Sequence, residues 1–592
     1  MKKFLGNLFN DKHILALLLV LVVSFGSMIY FGNQKQGYHV DELYSYGLSN
    51  SEYLPFMHFG NHDYDVKDWM NEYGAGESFA DLFSNLWKDF QILKDCNFDF
   101  YGSEIYQAYR VAQQNSGDTY STTWVSGQDY LDYLAVSESN TFNYASVYYN
   151  QRGDVHPPFF YILLHTICSV FQGAFSKWFG LSLNIVILLL ALVVIYCICE
   201  KHFGGKNMAI AATCMYAFSI GFMSTAMFIR MYALLTLMTL LCAYVHLNIW
   251  KSDFQFNKKM LAALFFSILG GYYTQYYFVL YAIGMAAVMT VLMILKQKWK
   301  NLFVYIFTLG CAAVTGILIW PFSIKHVFGG YRGRASLNVL QTGSFYWYKS
   351  EYMLNHIVDN IFGGISWLPI ALILLFVGSC IYARKKSFCV AKNAILAIPI
   401  VFYTLIVGQI SPFLTDRYVM CTYPFWCIMS VVALISSGTN ITEKLGLKAA
   451  DRGKNMRNMS LVVCVCSVLL ILCTSYLIKE PGYLNRGGQE TYTVPDNTDC
   501  VFIIPDGSYN ESSEEITTLA QCRRVGVVYK SNMEVLTVDY EYRSGDYLLV
   551  EIINSLDENE ILPMVQKAFG VEKLKELDRV YGSCAVRILL GE

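Results

Sequence analysis

The sequence is poor in charged residues. Asp, Glu, Lys and Arg make up 15% of its 592 residues, whereas about a quarter is typical of soluble domains. Proline is also scarce, with 12 residues, and the formal net charge is only −2. These shortages exclude a soluble enzyme and a disordered scaffold, and the near-neutral charge gives no reason to expect nucleic acid as a partner. Hydrophobic residues make up 55% of the chain, which indicates a multi-span membrane protein.

Patterns typical of disulfide frameworks and zinc sites are missing as well. The chain has 17 Cys, but most of them fall inside apolar runs, where a thiol behaves as a small buried hydrophobe. No C-x-x-C pair and no Cys/His cluster in the sequence has the spacing of a zinc site. We therefore expect no cofactor from the cysteines.

Long apolar runs predict about eleven transmembrane helices. A crossing needs roughly 20 mostly apolar residues, because the hydrocarbon core is about 30 Å thick and a helix rises about 1.5 Å per residue. The stretch 260–295 is predicted to hold two helices, because Gly-Gly-Tyr-Tyr-Thr-Gln from Gly270 onward interrupts it. The remaining predicted crossings are 13–31, 181–199, 208–227, 231–250, 302–321, 364–383, 393–410, 417–436 and 459–478.

Lys and Arg are distributed so that alternate connections are basic, which predicts the orientation. Basic clusters begin at Lys2, Lys201, Lys251, Lys296, Arg384 and Lys444. These clusters share one side only if the apolar stretch 157–175 does not cross and instead forms a re-entrant or juxtamembrane helix. The N-terminus is then cytoplasmic and the C-terminus lies outside, and we expect a bacterial plasma membrane.

The predicted threading divides the chain into a transmembrane domain and a tail. Residues 1–478 form an α-helical polytopic domain with extracytoplasmic loops at 32–156 and 322–360. Residues 479–592 differ in composition: short apolar runs such as 501–504 alternate with amphipathic runs. This alternation predicts a small extracytoplasmic α/β domain.

Ionisable side chains are nearly absent from the middles of the predicted spans, where a charge costs about 2.5–3.5 kcal/mol. Unusual polar groups collect instead at predicted outer ends of helices. In chain order they are Asp41 and Glu42, Asp154 and His156, Arg230 and Tyr232, Tyr273 and Tyr276, and Arg417 and Tyr418. Taken alone, each pair has an ordinary explanation, such as a solvated helix end, a helix start, an interfacial Arg or an aromatic belt. Because all five pairs lie at the same predicted depth in the membrane, the sequence predicts one site that faces the extracytoplasmic side.

These residue types suit a sugar that is attached to a lipid phosphate. Guanidinium groups bind phosphate oxygens through a fork of two N–H donors. A carboxylate can deprotonate an incoming hydroxyl, and aromatic faces suit sugar rings. Attack of an acceptor hydroxyl on a lipid-linked sugar needs all three at the membrane surface.

The ordered set of motifs over residues 10–440 resembles the C-type glycosyltransferase superfamily (GT-C). It is most similar to bacterial protein O-mannosyltransferases and aminoarabinose transferases, which are of glycosyltransferase family 39 type. The resemblance implies an inverting transferase with a polyprenyl-phosphate donor, in which Asp41 is the base and Glu42 orients the base or the acceptor. It further implies that Arg230 and Arg417 bind the donor phosphate. The other residues that it places against substrate are His156, Asp154, Tyr232, Tyr273, Tyr276 and Tyr418.

Alternatives to this interpretation stay open. Asp41, Glu42, Asp154 and His156 offer oxygen and nitrogen ligands for a divalent metal, although the resemblance implies a reaction without one. A multi-span transporter or lipid flippase is the alternative function. The uncharged span centres and the absence of an inverted repeat in the sequence argue against it. A third possibility is a receptor that uses 479–592 as a binding module. The acceptor is a protein, a lipid or a cell-wall polymer.

Overall fold

The computed structural model divides the chain into two compact units. Met1–Gly32 and Leu181–Gly482 form one, the helical unit, and Asn33–Gly180 and Tyr483–Glu592 form the other, the sheet unit. The residues that the structure describes are 11–57, 124–324, 326–327, 336, 345–383, 388–411, 413–444, 465–466, 468–477, 479–485, 494–505, 512–531, 533, 547–553, 556–569, 575–577 and 585–590.

Within the described residues, 7 helices are long and apolar enough to cross a membrane. They are Lys12–Gln34, Lys177–His202, Tyr232–Lys251, Phe278–Leu295, Trp299–Ile319, Ala391–Ile410 and Asp416–Ile435. A further pair, Lys206–Ala217 and Ile220–Met227, is bent by 57° and counts as an eighth if it forms one broken span. The protein is therefore a multi-pass α-helical membrane protein, as the apolar runs predicted.

The remaining predicted crossings coincide with shorter helices. These are Lys258–Thr274, Trp367–Ala383 and Val468–Leu477. The helical fold class is confirmed, whereas the number of crossings stays a prediction. The stretch 157–175 contains the helix Phe159–Val170, whose 12 residues reach about 18 Å and are too short to cross the hydrocarbon core.

The described part of the sheet unit contains a six-stranded sheet with the order β1-β3-β2-β4-β6-β5. Its strands are β1 Trp124–Ser126, β2 Asp499–Ile504, β3 Arg524–Tyr529, β4 Leu548–Ile553, β5 Lys575–Leu577 and β6 Ala585–Leu590. β2 pairs in parallel with β3 and β4, while β1, β6 and β5 add antiparallel strands. β2 and β4 are buried along their whole length, as strands with both faces covered should be.

One face of this sheet is covered by the helix Glu558–Phe569. Ile561 and Val565 of that helix belong to the same buried cluster as Val501 and Val550 from the central strands. The spacing of these two helical residues places them on one side of the helix. The alternation of strand and amphipathic helix in the tail sequence reflects this packing.

The sheet does not consist of tail residues alone. β1 comes from the first loop and pairs with β3, so that Trp124 lies opposite Gly526. The helix that follows β1 begins at Gly127, where a Cβ would lie 1.8 Å from the Cys522 carbonyl oxygen, so only glycine fits. The units of the structure thus differ from a division at residue 478, because backbone pairing joins the loop to the tail.

The helix Val40–Asn50, which we call the site helix, packs against three other helices of the sheet unit. They are Gly127–Leu134, Tyr144–Gly153 and Phe159–Val170. A Cβ at Gly47 would lie 2.0 Å from Tyr133 Cζ, so glycine permits this close crossing. At the end of the site helix, Asn50 Nδ2 donates to the Leu134 carbonyl at 2.6 Å, and Asn150 Nδ2 donates to the Ser51 carbonyl at 2.8 Å. These buried amide contacts fix the helix within the unit.

Candidate active site

Asp41 and Glu42 lie in the first turn of the site helix. His39 caps this turn. Its ring Nδ1 accepts a hydrogen bond from the Asp41 backbone N–H at 3.1 Å, and its backbone N–H donates to Glu42 Oε2 at 2.7 Å. The reciprocal pattern satisfies amides that would lack partners at a helix start. Acidic side chains at this end also interact favourably with the helix dipole.

The two carboxylates have different surroundings. The Asp41 side chain is 14% exposed, and its Oδ2 lies 3.6 Å from His39 Nδ1. The Glu42 side chain is completely buried, and its Oε2 lies 2.9 Å from Lys35 Nζ. Asp41 is therefore accessible to a substrate, whereas Glu42 contacts the backbone of the turn that carries Asp41.

Lys35 is a residue of this site that sequence analysis missed. Its Nζ donates to Glu42 Oε2 at 2.9 Å and to the Tyr483 carbonyl at 2.6 Å. In the sequence it is a single lysine just after an apolar span, which is typical of an interfacial charge. Tyr483 is 448 residues away, so no local pattern could indicate the contact.

Asp154 and His156 form a hydrogen-bonded pair. His156 Nδ1 lies 2.7 Å from Asp154 Oδ2, and the two side chains are 7% and 13% exposed, respectively. Asp154 ends the helix Tyr144–Gly153, and Pro158 precedes the helix Phe159–Val170. A carboxylate at Nδ1 fixes the orientation of the imidazole and leaves Nε2 on the opposite edge of the ring.

Tyr44 connects the acidic groups of the sheet unit. Its hydroxyl donates to Ser513 Oγ at 3.0 Å. Burial raises the pKa of Tyr44, the charges of Asp41, Asp154 and Glu514 raise it further, and the Ser513 hydrogen bond opposes the rise. That Asp41 and Asp154 serve one site with Tyr44 stays a prediction. Sequence analysis missed Tyr44, which lies one helical turn after Asp41.

In the helical unit, Arg230 and Tyr232 lie at a break between two helices. The first helix ends at Met227 and the second begins at Tyr232. Arg230 is 4% exposed and Tyr232 is 3% exposed. The Tyr232 ring stacks on Phe228 with centroids 5.7 Å apart and meets the Tyr418 ring edge-on at 6.4 Å.

Arg417 and Tyr418 lie in the 3-10 helix Asp416–Thr422, which leads directly into the α-helix that begins at Tyr423. The Arg417 Cζ is 5.7 Å from the centroid of the Tyr418 ring, within the range of a cation–π interaction. Tyr418 also meets Tyr277 edge-on at 5.2 Å. We call Tyr232, Tyr277 and Tyr418 the tyrosine cluster; Arg230 and Arg417 are chain neighbours of its members.

Tyr273 and Tyr276 lie near the apex between the helices that end at Thr274 and begin at Phe278. The Tyr276 hydroxyl accepts from Trp320 Nε1 at 2.8 Å and lies 2.8 Å from His326 Nδ1. Sequence analysis missed both of these partners. The Tyr273 hydroxyl instead donates to helix carbonyls at 3.3 Å. The apex residue in the tyrosine cluster is Tyr277, which was not among the predicted site residues.

The predicted site residues thus fall into two groups, one in each unit. The sheet unit holds Asp41, Glu42, Asp154 and His156. The helical unit holds Arg230, Tyr232, Tyr273, Tyr276, Arg417 and Tyr418. The prediction that both groups serve one reaction stays a prediction.

The described residues contain no group of three or more His, Cys, Asp or Glu side chains that could hold a metal ion. Three of the four candidate ligands, Glu42, Asp154 and His156, already make side-chain hydrogen bonds in the structure. Glu42 Oε2 accepts from Lys35 and from the His39 N–H, and His156 Nδ1 contacts Asp154. The prediction of a reaction without a metal stays a prediction.

Solved structures include similar proteins. A crystal structure of ArnT from Cupriavidus metallidurans bound to undecaprenyl phosphate has a TM-score of 0.42 and 12% sequence identity, with 73% of this chain and 87% of that chain covered. A structure of the same protein in the apo state has a TM-score of 0.41 and 12% identity, with 78% and 93% covered. No protein-family model matches this chain, and no curated protein sequence matches it significantly.

Proposed function

We propose that the protein is an inverting membrane glycosyltransferase that moves a sugar from a polyprenyl-phosphate donor to an acceptor hydroxyl. The observation that carries the proposal is the position of Arg230 and Arg417. They come from distant parts of the sequence: Arg230 lies at a break between two helices, and Arg417 lies in a 3-10 helix at the start of a candidate span. Each is within two residues of a member of the tyrosine cluster, and those members, Tyr232 and Tyr418, are in ring contact.

Arg230 and Arg417 are the proposed phosphate ligands. A guanidinium group donates two parallel N–H bonds to phosphate oxygens and remains charged at any physiological pH. Arg230 is 4% exposed, and interactions between charges strengthen as water is excluded. Tyr232 and Tyr418 offer ring surface beside these charges, and we assign them, with Tyr273 and Tyr276, to the sugar side of the donor.

Asp41 is the proposed general base. It takes the proton of the acceptor hydroxyl while the acceptor oxygen forms a bond to the anomeric carbon of the sugar. The bond between that carbon and the phosphate oxygen breaks, and its electron pair leaves with the polyprenyl phosphate. A single displacement of this kind inverts the anomeric configuration. No metal takes part in the proposed reaction.

The acidic residues near Asp41 have supporting roles in the proposal. Glu42 is buried against the N-terminal turn of the site helix, so it orients the base rather than the acceptor. His156, held by Asp154 at 2.7 Å, shapes the acceptor side together with Tyr44.

The acceptor hydroxyl belongs to a protein, a lipid or a cell-wall polymer, and the reaction takes place at the outer face of a bacterial plasma membrane.

Replacing the base tests the proposal. Purified Asp41→Asn protein in lipid vesicles, given labelled polyprenyl-phosphate sugars one at a time, should bind the donor as the wild type does and transfer no sugar. Asp132→Asn is the matched control, because Asp132 is an exposed aspartate of the same unit. Full transfer by Asp41→Asn would contradict the assignment. Movement of the labelled donor across the vesicle membrane without any transfer by the wild type would instead identify a flippase.

A further inference from the structure

A chain of hydrogen bonds runs from Tyr483 to the backbone of Asp41. The Tyr483 carbonyl accepts from Lys35 Nζ at 2.6 Å, and the same Nζ donates to Glu42 Oε2 at 2.9 Å. Glu42 Oε2 also accepts from the His39 N–H at 2.7 Å, and His39 Nδ1 accepts from the Asp41 N–H at 3.1 Å. Every residue of this chain lies in the sheet unit.

Lys35 links the two halves of this hydrogen-bond series, because its Nζ contacts both Tyr483 and Glu42. The Lys35 and Glu42 side chains are both completely buried, and a buried ammonium group requires hydrogen-bond partners to offset its lost hydration. Lys35 Nζ therefore holds both oxygens that it contacts. Its own backbone is held as well, because Lys177 Nζ donates to the Lys35 carbonyl, and the Tyr38 ring lies 5.9 Å from Lys35 Nζ.

The segment 483–485 also pairs with the residues that follow Lys35. The Gln36 N–H donates to the Leu484 carbonyl at 2.9 Å. At Gly37 a Cβ would lie 3.3 Å from the Asn485 Cβ, so the two backbone segments are in close contact. Since 483–485 begins the tail that carries β2 to β6, the start of the tail is fastened to the turn that carries Asp41.

We propose that Lys35 is a positioning residue for Asp41, and that the start of the tail is its anchor. Lys35, held by the Tyr483 carbonyl, sets the direction in which the Asp41 side chain leaves the site helix. The tail thereby acts on the proton-transfer step. This inference rests on the proposed role of Asp41 as the general base.

A purely electrostatic role for Lys35 makes a different prediction. If Lys35 only neutralises Glu42, a variant in which both residues are neutral should keep full activity, because no charge is left uncompensated. If Lys35 positions Asp41, the same variant loses the link to Tyr483 and should remain impaired. The variant Lys35→Met/Glu42→Gln separates the two roles, because Gln keeps an oxygen that accepts from the His39 N–H.

Steady-state kinetics of the full-length double variant in lipid vesicles provide the test. We expect kcat to fall about tenfold or more while KM for the polyprenyl-phosphate sugar stays within about twofold of the wild type, since a misdirected base affects the chemical step more than ground-state binding. A kcat within about twofold of the wild type would overturn the proposal.

A second series leaves both charges in place. Gly37→Ala and Gly37→Val introduce increasing bulk against Asn485 and should loosen the pairing between Gln36 and Leu484. We expect kcat to fall in the order wild type, Ala, Val, with KM for the donor unchanged. Equal kcat values in this series would overturn the proposal even if the double variant does not fold.

Asp41→Asn is measured in parallel to separate the two proposals. If Asp41→Asn transfers sugar normally, the proposed base is wrong. If Asp41→Asn is inactive while the double variant and the Gly37 variants are fully active, Asp41 keeps its role and only the positioning role of Lys35 fails.

Discussion

The buried pair of Lys35 and Glu42 allows a quantitative test of the structure around Asp41. Their atoms Nζ and Oε2 are 2.9 Å apart, and both side chains are completely buried. Removing one partner of such a pair leaves an uncompensated buried charge, which costs about 3–5 kcal/mol. Lys35→Met should therefore lower the midpoint of thermal unfolding by about 6–20 °C, at 2–4 °C per kcal/mol for a unit of this size.

Thermal unfolding of the purified protein in detergent, followed by intrinsic fluorescence, measures this effect. Lys530→Met is the matched control, because Lys530 and Glu560 form a pair at 2.9 Å whose side chains are 41% and 55% exposed. An exposed pair contributes about 0–1 kcal/mol, so the control should shift the midpoint little. The double variant Lys35→Met/Glu42→Gln should recover most of the loss. Equal midpoints for Lys35→Met and Lys530→Met would refute the buried pair.

Further variants address the phosphate ligands, the acidic group around Tyr44 and the orientation. Arg230→Ala should raise KM for the donor about 10- to 100-fold, from the loss of charge-assisted hydrogen bonds of about 1.5–3 kcal/mol, and leave KM for the acceptor unchanged; an unchanged donor KM removes Arg230 from the phosphate site. Because burial raises the pKa of Tyr44, its hydroxyl stays protonated at neutral pH. Tyr44→Phe should thus cost about 1 kcal/mol of stability through the lost Ser513 hydrogen bond and leave the alkaline limb of the rate–pH profile unmoved; a shifted limb would show that Tyr44 titrates in the reaction. Lys530→Cys should react with an impermeant thiol reagent in intact cells. Cys500 and Cys522, which are 0% and 5% exposed, should react only after unfolding. Labelling of Lys530→Cys only after cell lysis would place the tail on the cytoplasmic side and contradict the predicted orientation.

The helices of this protein could be predicted because the signal for each is local. An apolar run of about 20 residues is sufficient to indicate a span, and the helices at Lys12–Gln34 and Tyr232–Lys251 follow such runs closely. The bend within 208–227 was not predicted. It falls at Phe218 and Ser219, where the Ser219 Oγ caps the second helix by accepting a hydrogen bond from the Phe222 backbone N–H.

The long-range parts of the fold could not be read from the sequence. β1 has only three residues and pairs with β3, nearly 400 residues later in the chain. Its local composition gives no indication of that partner. The division into units differs from the predicted domains for this reason.

The candidate site was predictable in residue type but not in detail. The sequence predicted Asp41 and Glu42 at the outer end of the first span, whereas the structure places them in the first turn of a separate helix, Val40–Asn50. The different surroundings of Asp41 and Glu42 depend on Lys35 and Tyr483, which are 448 residues apart in the sequence. Similarly, the sequence of the apex does not show that the Tyr276 hydroxyl contacts Trp320 and His326, which lie 44 and 50 residues later in the chain.

A structure of the protein with a polyprenyl phosphate bound tests the central claim most directly. We predict phosphate oxygens within about 3 Å of guanidinium nitrogens of both Arg230 and Arg417, as a hydrogen bond requires, and the Asp41 carboxylate directed at the position of the departing sugar. A phosphate bound away from both arginines, or an Asp41 carboxylate that cannot reach the sugar, would contradict it.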